Sequence, residues 1–318
     1  MMPDIFTVLL ETPSLLAMWG ALLFHWVYPA QGAFSPKPYW HKLATEIAVR
    51  VHHTTDSRTQ QRLAGTLTLM LLSLTTLVFC IALQQVVWMQ WFLDFLLLWF
   101  ALNWRPLHES HQRLAGALSR EDKLSAREAL APQVNRDTSS LSAIGLGKAG
   151  AETLTVGYCR QLISVLFWYA LLGGPGAFTY ALTMQLARMW SPNQVRYQDY
   201  GLPVSKVMTL LDWLPTRLFA LLIAAGKNGY HALSAIKQQG QQWREQGKGW
   251  LLAAIGTKFQ LALGGPVVYD QQKLKRKSIG GDIAPTASHL MLVSRHLWAR
   301  SLLWIGLQSL LMFLGRIL

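Results

Sequence analysis

The chain has 318 residues, of which 52% are hydrophobic and 14% charged, against roughly 25% charged residues in an ordinary soluble domain. That balance excludes a soluble globular domain, and 14 tryptophans point the same way, because Trp collects where an apolar body meets a wet interface. The formal net charge of +13 lies in the segments between apolar runs rather than in one tail, which favours membrane orientation and a phosphate-bearing ligand over nucleic acid.

Crossing a bilayer takes about 20 apolar residues per helix. The first candidate covers residues 14–28 and reaches that length when residues 7–10 join it across Pro13. With no basic run or small-residue cleavage site ahead of it, it reads as a retained span rather than a removable leader. Residues 37–62 are polar and basic and hold His41, His52 and His53. Two apolar runs then follow closely, 63–86 and 87–104, with Gln84 and Gln85 marking the join. This predicts a helical hairpin. Asp94 sits inside the second run, where a carboxylate is costly unless it faces protein.

Residues 105–160 form the longest polar stretch. Ser119 followed by Asp122 predicts a helix start, and Leu124 and Leu130 give that helix one apolar face up to Pro132. Arg105, Arg113, Arg120, Lys123 and Arg127 make the stretch a cytoplasmic helical insertion by the positive-inside tendency. The run 162–189 is interrupted by Gly173-Gly174-Pro175-Gly176, which predicts a kink or a break. The run 210–225 contains Asp212, Pro215 and Arg217. The run 250–263 is short for a full span and suits a packed or re-entrant helix, and 298–317 reads as the last span. The expectation is an all-α polytopic membrane protein with about five or six crossings and no strand. It divides into N-terminal transmembrane helices (1–104), the helical insertion (105–160) and a second membrane region (161–318).

Few residue patterns carry chemistry by themselves. Gly145-Leu146-Gly147-Lys148 lacks the spacing of a phosphate-binding P-loop and no strand precedes it. His108 and His111 can share a helix face without a third ligand in sight, and His52-His53 make a poor chelate. Cys80 and Cys159 lie in or beside apolar runs with no CxxC spacing. Two clusters stand out. Asn135-Arg136-Asp137-Thr138 comes shortly before Lys148 and Glu152, joining groups that suit phosphate with carboxylates that suit Mg²⁺. Leu263-Gly264-Gly265-Pro266 and Tyr269 precede the basic run Lys273, Lys275, Arg276 and Lys277, where glycine permits close approach and the cations suit phosphate or anionic lipid.

These clusters, with what lies between them, resemble the CobD/CbiB family of adenosylcobinamide-phosphate synthases. Val134-Asn135-Arg136-Asp137-Thr138 is similar to the family's "VGRDT". Ala151-Glu152-Thr153-Leu154, Leu166-Phe167-Trp168 and Gly173-Gly174-Pro175-Gly176-Ala177 are similar to "ESxAEN…PLFW…GGxPGA". Arg196-Tyr197 and Tyr200-Gly201 precede Asp212-Trp213-Leu214-Pro215-Thr216-Arg217-Leu218, which looks like "NWIPARL"; Leu263-Gly264-Gly265-Pro266, Tyr269 and Ile279-Gly280-Gly281-Asp282 complete the series. The resemblance implies a role in cobalamin biosynthesis or salvage, as an ATP-dependent ligase that joins aminopropanol phosphate to cobyric acid through an amide. It implies Mg²⁺ and ATP, a corrinoid ligand, and multi-pass insertion in a bacterial inner membrane. It also implies contact with lipid, and either self-association or contact with other cobalamin-pathway membrane proteins; nucleic acid is not implied.

By the same resemblance Asp137 and Glu152 are the catalytic candidates and the metal ligands. Arg136, Thr138, Lys148, Arg196, Arg217, Gly264, Gly265 and Tyr269 are the candidates for ligand and phosphate contact. The chain departs from the family pattern at its acids. Val156 and Gly157 stand where the family has a glutamate and an asparagine, and Arg160 where it has an aspartate. Met184-Gln185-Leu186-Ala187-Arg188-Met189 replaces "NTLDSM", and Met208-Thr209 replaces a pair of aspartates. Near the N-terminus, His25 and Ser35-Pro36 are found where the family has an early Asp and a His-Pro pair. Fewer acids mean fewer Mg²⁺ ligands and fewer bases. A second expectation is therefore a catalytically inactive relative that senses a ligand or signals, as AmpE-like proteins do, and a third is a structural membrane subunit sharing only the fold.

Overall fold

The computed structural model describes residues 12–32, 35–243, 245–269, 272–274 and 276–317. The predicted contribution of residues 7–10 lies outside them. Helix α1, Pro13–Val27, starts on a proline whose missing N–H costs nothing at a first turn. Helix α2, Lys37–Val51, runs through the polar N-terminal stretch. Helix α3, Arg58–Val86, opens on a reciprocal cap: Ser57 accepts from the Gln60 N–H at 3.3 Å, and the Ser57 N–H donates to Gln60 Oε1 at 3.0 Å. A short turn leads into α4, Gln90–Ala101, completing the predicted hairpin.

Helix α5, Trp104–Ser119, and α6, Lys123–Leu130, follow. The cap of α6 is Asp122, which accepts from the Ser125 N–H at 3.1 Å, and Ser119 instead ends α5. The predicted start was therefore three residues early: the charged Asp122 carboxylate accepts from both the N–H and the hydroxyl of Ser125, while the Ser119 hydroxyl donates back to the Gly116 carbonyl. Helix α7, Ala143–Tyr158, is capped by Ser142, passes through a π-turn at Cys159–Ile163 and continues as α8, Ser164–Met189. A π-turn inserts one residue per turn and is common at functional sites.

Gly173 breaks α8, at φ 63° and ψ −158°, a backbone region that only glycine enters freely. The first N–H of the resumed helix, that of Gly174, donates to Asp94 Oδ1 at 2.8 Å, and Gln84 Nε2 donates to the same oxygen at 2.7 Å. Asp94 is thus a cap supplied by the hairpin to a broken helix, which explains a carboxylate inside an apolar run.

The run 210–225 resolves into α9, Leu202–Leu211, and α10, Trp213–Ala224, bent by 52° about Asp212. After α11, Gly229–Gln238, comes α12, Gln246–Lys258, whose centre from Leu251 to Gly256 is buried, as suits a packed helix. The absence of strands was not fulfilled. Strands β1 (Ala262–Gly264) and β4 (Ser278–Gly280) pair antiparallel, and within them β2 (Val267–Tyr269) and β3 (Gln272–Leu274) form a second antiparallel pair. Three residues are too few to display an alternation. Helix α13, Ala287–Ile317, closes the described chain.

Among the described residues three helical stretches are long and apolar enough to cross a bilayer: α3, the continuous α7–α8 stretch, and most of α13. The bent α9–α10 pair would make four. This count is below the expected five or six, because α1 has 15 residues and α4 has 12, short of the roughly 20 a crossing takes. The protein is a helical membrane protein. Only 22% of the most apolar window of α3 is buried, and Leu67, Leu71, Leu74, Val78 and Phe79 face outward from it. One core cluster joins Met18 of α1, Leu98 of α4, Leu107 and Leu114 of α5, Tyr158 of α7 and Leu297 of α13.

Candidate functional site

A cavity of about 300 Å³ opens where the α7–α8 stretch meets the loop after α6, the start of α9, and α12. Its wall is strongly cationic, with Arg136, Arg160, Arg188, Lys248 and Arg276 all contributing, against the carboxylates of Glu152 and Glu245. Local structure brings each of them in. The π-turn carries Arg160 inward from the end of α7. Asn135 donates to the Arg188 carbonyl at 2.8 Å, and Arg188 donates back to the Pro132 carbonyl, so the 132–136 loop is fastened to the C-terminus of α8. That clasp puts Arg136 and Arg188 on the same wall.

Every carboxylate here among the described residues is engaged. Glu152, on α7, is buried; it accepts from the Gly264 N–H at 2.8 Å and pairs with Arg276 at 3.2 Å. Arg276 also donates to the Gly265 carbonyl at 3.1 Å and lies over the Trp243 ring at 5.2 Å. Gly264 has φ 73°, and a Cβ on it would come within 2.9 Å of the Trp243 ring. Only glycine lets the strand pass this close and aim its N–H at Glu152. Beneath the cavity Arg160 donates to Asp212 at 2.6 Å, and the Tyr180 hydroxyl donates to the other oxygen of Asp212 at 2.7 Å. Glu245 pairs with Lys248 at 2.6 Å and lies 3.7 Å from Arg160. Burial holds the Lys248 ammonium below the usual lysine range, with Glu245 opposing.

Of the residues singled out in the sequence, Arg136 and Glu152 line this cavity, and Gly264 and Gly265 sit directly behind Glu152. Lys148 ends near them, its Nζ 3.9 Å from where a Gly265 side chain would begin. The others are elsewhere. Asp137 does not line the cavity; its carboxylate accepts from the Ser139 N–H at 2.8 Å and hydroxyl at 2.7 Å, which lowers its pKa and closes a local turn. Thr138 is buried in the same turn, where its carbonyl accepts from Leu141. Arg196 lies over the Tyr197 ring at 5.5 Å. Arg217 is sandwiched between Trp213 and Trp250, at 4.4 and 5.0 Å. Tyr269 ends β2, and its side chain and Lys275 fall outside the described residues.

Sequence reasoning missed Arg160, Arg188, Lys248 and Arg276 as one group. Two of them stood in view as basic residues within segments where acids were expected. It also missed a polar relay behind the cavity. Lys37 donates to Asn103 Oδ1, and the Asn103 amide donates at 2.9 Å to Gln161, which lines the cavity. Burial pushes the Lys37 ammonium down to about 8.

The sequence pattern of the CobD/Cbib protein family matches residues 18–296. The chain belongs to the CobD/CbiB family. It is 30% identical over 215 residues to the "Cobalamin biosynthesis protein CobD" of Stutzerimonas stutzeri, covering 68% of this chain and 71% of that one. The protein of the same description from Chromobacterium violaceum is 30% identical over 217 residues, 66% of this chain and 68% of its own. That from Rhodobacter capsulatus is 28% identical over 213 residues, again 66% and 68%. No solved structure matches this chain.

Family membership gives the departures in sequence a spatial meaning. Val156, Arg160, Ala187 and Met208, four of the positions at which acids of the CobD/CbiB pattern are replaced, line the one cavity, whereas Thr209 and the N-terminal departures do not. Asp212, which stands at the asparagine of "NWIPARL", is the residue that pairs with Arg160. The loss of acid and its compensation occur in one place.

Proposed function

We propose that the chain acts in cobalamin biosynthesis, at a bacterial inner membrane, by holding a phosphate- or carboxylate-bearing intermediate in the cationic cavity. The observation that supports this most directly is the convergence of Arg136, Arg160, Arg188, Lys248 and Arg276 on one cavity in a CobD/CbiB-family chain. Guanidinium forks match phosphate and carboxylate oxygens in pairs and remain charged at any physiological pH. Asn135 and the polar relay from Lys37 give the cavity neutral partners that orient such a ligand.

ATP-dependent amide formation between aminopropanol phosphate and cobyric acid is the second reading, favoured by the family match over residues 18–296. It requires Mg²⁺ with the nucleotide. The residues present do not fit that ion: Glu152 is bound by Arg276 and Gly264, Glu245 by Lys248, and no group of three His, Cys, Asp or Glu among the described residues could hold a metal. No step of the proposed function is assigned to a metal.

The test is binding of cobyric acid, aminopropanol phosphate and Mg²⁺–ATP to purified protein in detergent, with amide product followed by mass spectrometry. Corrinoid binding without product supports the first reading. Product formation supports the second. Absence of binding by cobyric acid and aminopropanol phosphate alike refutes both.

A further inference from the structure

We infer that this cavity is a metal-independent oxyanion site, in which arginine supplies the positive charge that a divalent cation supplies to a carboxylate-lined site. The inference builds on the reading that the cavity takes an anionic ligand, and adds how the ligand's charge is met. Five cationic side chains line the cavity, against Glu152 and Glu245 in its wall and Asp212 beneath. Among the described residues the wall is therefore net positive, as an anionic ligand requires.

The excess sits where a ligand can use it. Arg276 is held to Glu152, Lys248 to Glu245, and Arg160 to Asp212. Arg188 has no carboxylate within ion-pair distance among the described residues, and the Asn135 clasp keeps it on the wall with Arg136. A divalent cation could enter only by taking a carboxylate from one of the three pairs. That would leave a guanidinium or ammonium uncompensated in a partly buried site, and removing one member of a buried pair is strongly destabilising. The ion would also face five like charges. An oxyanion takes no carboxylate from these three pairs: it meets the guanidinium of Arg188, with Arg136 on the same wall.

The experiment titrates inorganic phosphate into the full chain in detergent, followed by ³¹P NMR line broadening, once with EDTA and once with excess Mg²⁺. The expected result is the same dissociation constant in both, within about twofold. Arg188→Gln should weaken binding about tenfold under both conditions, the scale of one lost charge-assisted hydrogen bond. Arg188→Lys should restore part of it, since the charge returns without the fork. Circular dichroism and size-exclusion profiles like those of the wild type establish that these variants are folded. Binding that requires Mg²⁺, or no binding under either condition, overturns the inference; so does a wild-type affinity in folded Arg188→Gln. Cobyric acid binding is scored separately. If it persists while phosphate needs Mg²⁺, the functional reading survives and the inference fails. If phosphate binds without metal but no corrinoid does, the inference stands and the assignment to the cobalamin pathway falls.

Discussion

Arg160 and Asp212 illustrate how much depends on a single buried pair. Their contact at 2.6 Å joins the π-turn to the bend between α9 and α10, and Tyr180 completes it. Removing one partner leaves the other charged in a poorly solvated place, so Arg160→Ala or Asp212→Ala should each cost about 3 kcal/mol or more. The double variant should cost less than the sum of the two. Thermal unfolding in detergent reads both numbers, and strict additivity would show that the pair is not coupled. His111 offers a pH test outside the spans. It is buried on α5, its Nδ1–H donates to the Leu107 carbonyl at 2.8 Å, and burial pushes its pKa down to about 4. The unfolded chain therefore takes up this proton first as pH falls. Stability should be undiminished by His111 above about pH 6.5 and fall between about 6.5 and about 4, by on the order of 3 kcal/mol. His111→Gln should reduce that slope in a pH series of unfolding midpoints. At this scale the sequence revealed residue types and not partners. Glu152 and Arg136 stood out as chemistry, but nothing along the chain joins Glu152 to Arg276 or Arg160 to Asp212, because both contacts are made only by the fold.

Among the elements, the broken helix α8 is the one whose integrity rests on a neighbour. Gly173 permits the break, and Asp94 of the hairpin satisfies the N–H that the break exposes. Asp94→Ala should lower stability by about 1–2 kcal/mol, the scale of a lost helix cap. Asp94→Asn keeps an acceptor and should retain most of the stability. Equal losses in the two variants would argue against capping. The sequence announced this break plainly through Gly173-Gly174-Pro175-Gly176, and it announced the hairpin through its glutamines. It gave no sign of the four strands, each of which is three residues long. Their geometry depends on glycines with positive φ at 264, 265 and 280 and on a carboxylate from α7. The π-turn was equally hidden, since an extra residue in one turn leaves no compositional trace.

For the molecule as a whole, composition alone established the class, and the long apolar runs gave the spans. The crossing number was less legible, because short helices such as α1 and α4 look like spans in a hydropathy profile and are not long enough by themselves. Helix α3 fixes an orientation that can be measured. Its 29 residues extend about 44 Å, and its first turns pack against the segment before α9, with Arg62 paired to Asp199 at 2.7 Å and Gly65 against the Tyr200 carbonyl. At its far end Trp88 is 97% exposed at the tip of the hairpin. A single cysteine at Arg58 and one at Trp88 should therefore be modified by an impermeant thiol reagent from opposite faces of the membrane, the former from the cytoplasmic side. The native Cys80 and Cys159 are buried and should add little background. Labelling of both positions from one face would contradict the arrangement.

The Arg160–Asp212 pair also bears on how such a cavity can arise. Starting from an aspartate and an asparagine at these places, either change made alone passes through an awkward state. An arginine faces a neutral amide in a partly buried site, or two carboxylates face each other. The two substitutions are viable together and penalised apart. Lineages descending from the same ancestor should therefore carry both or neither, and a survey of sister sequences that finds them freely separated would show that the cavity tolerates an unbalanced charge.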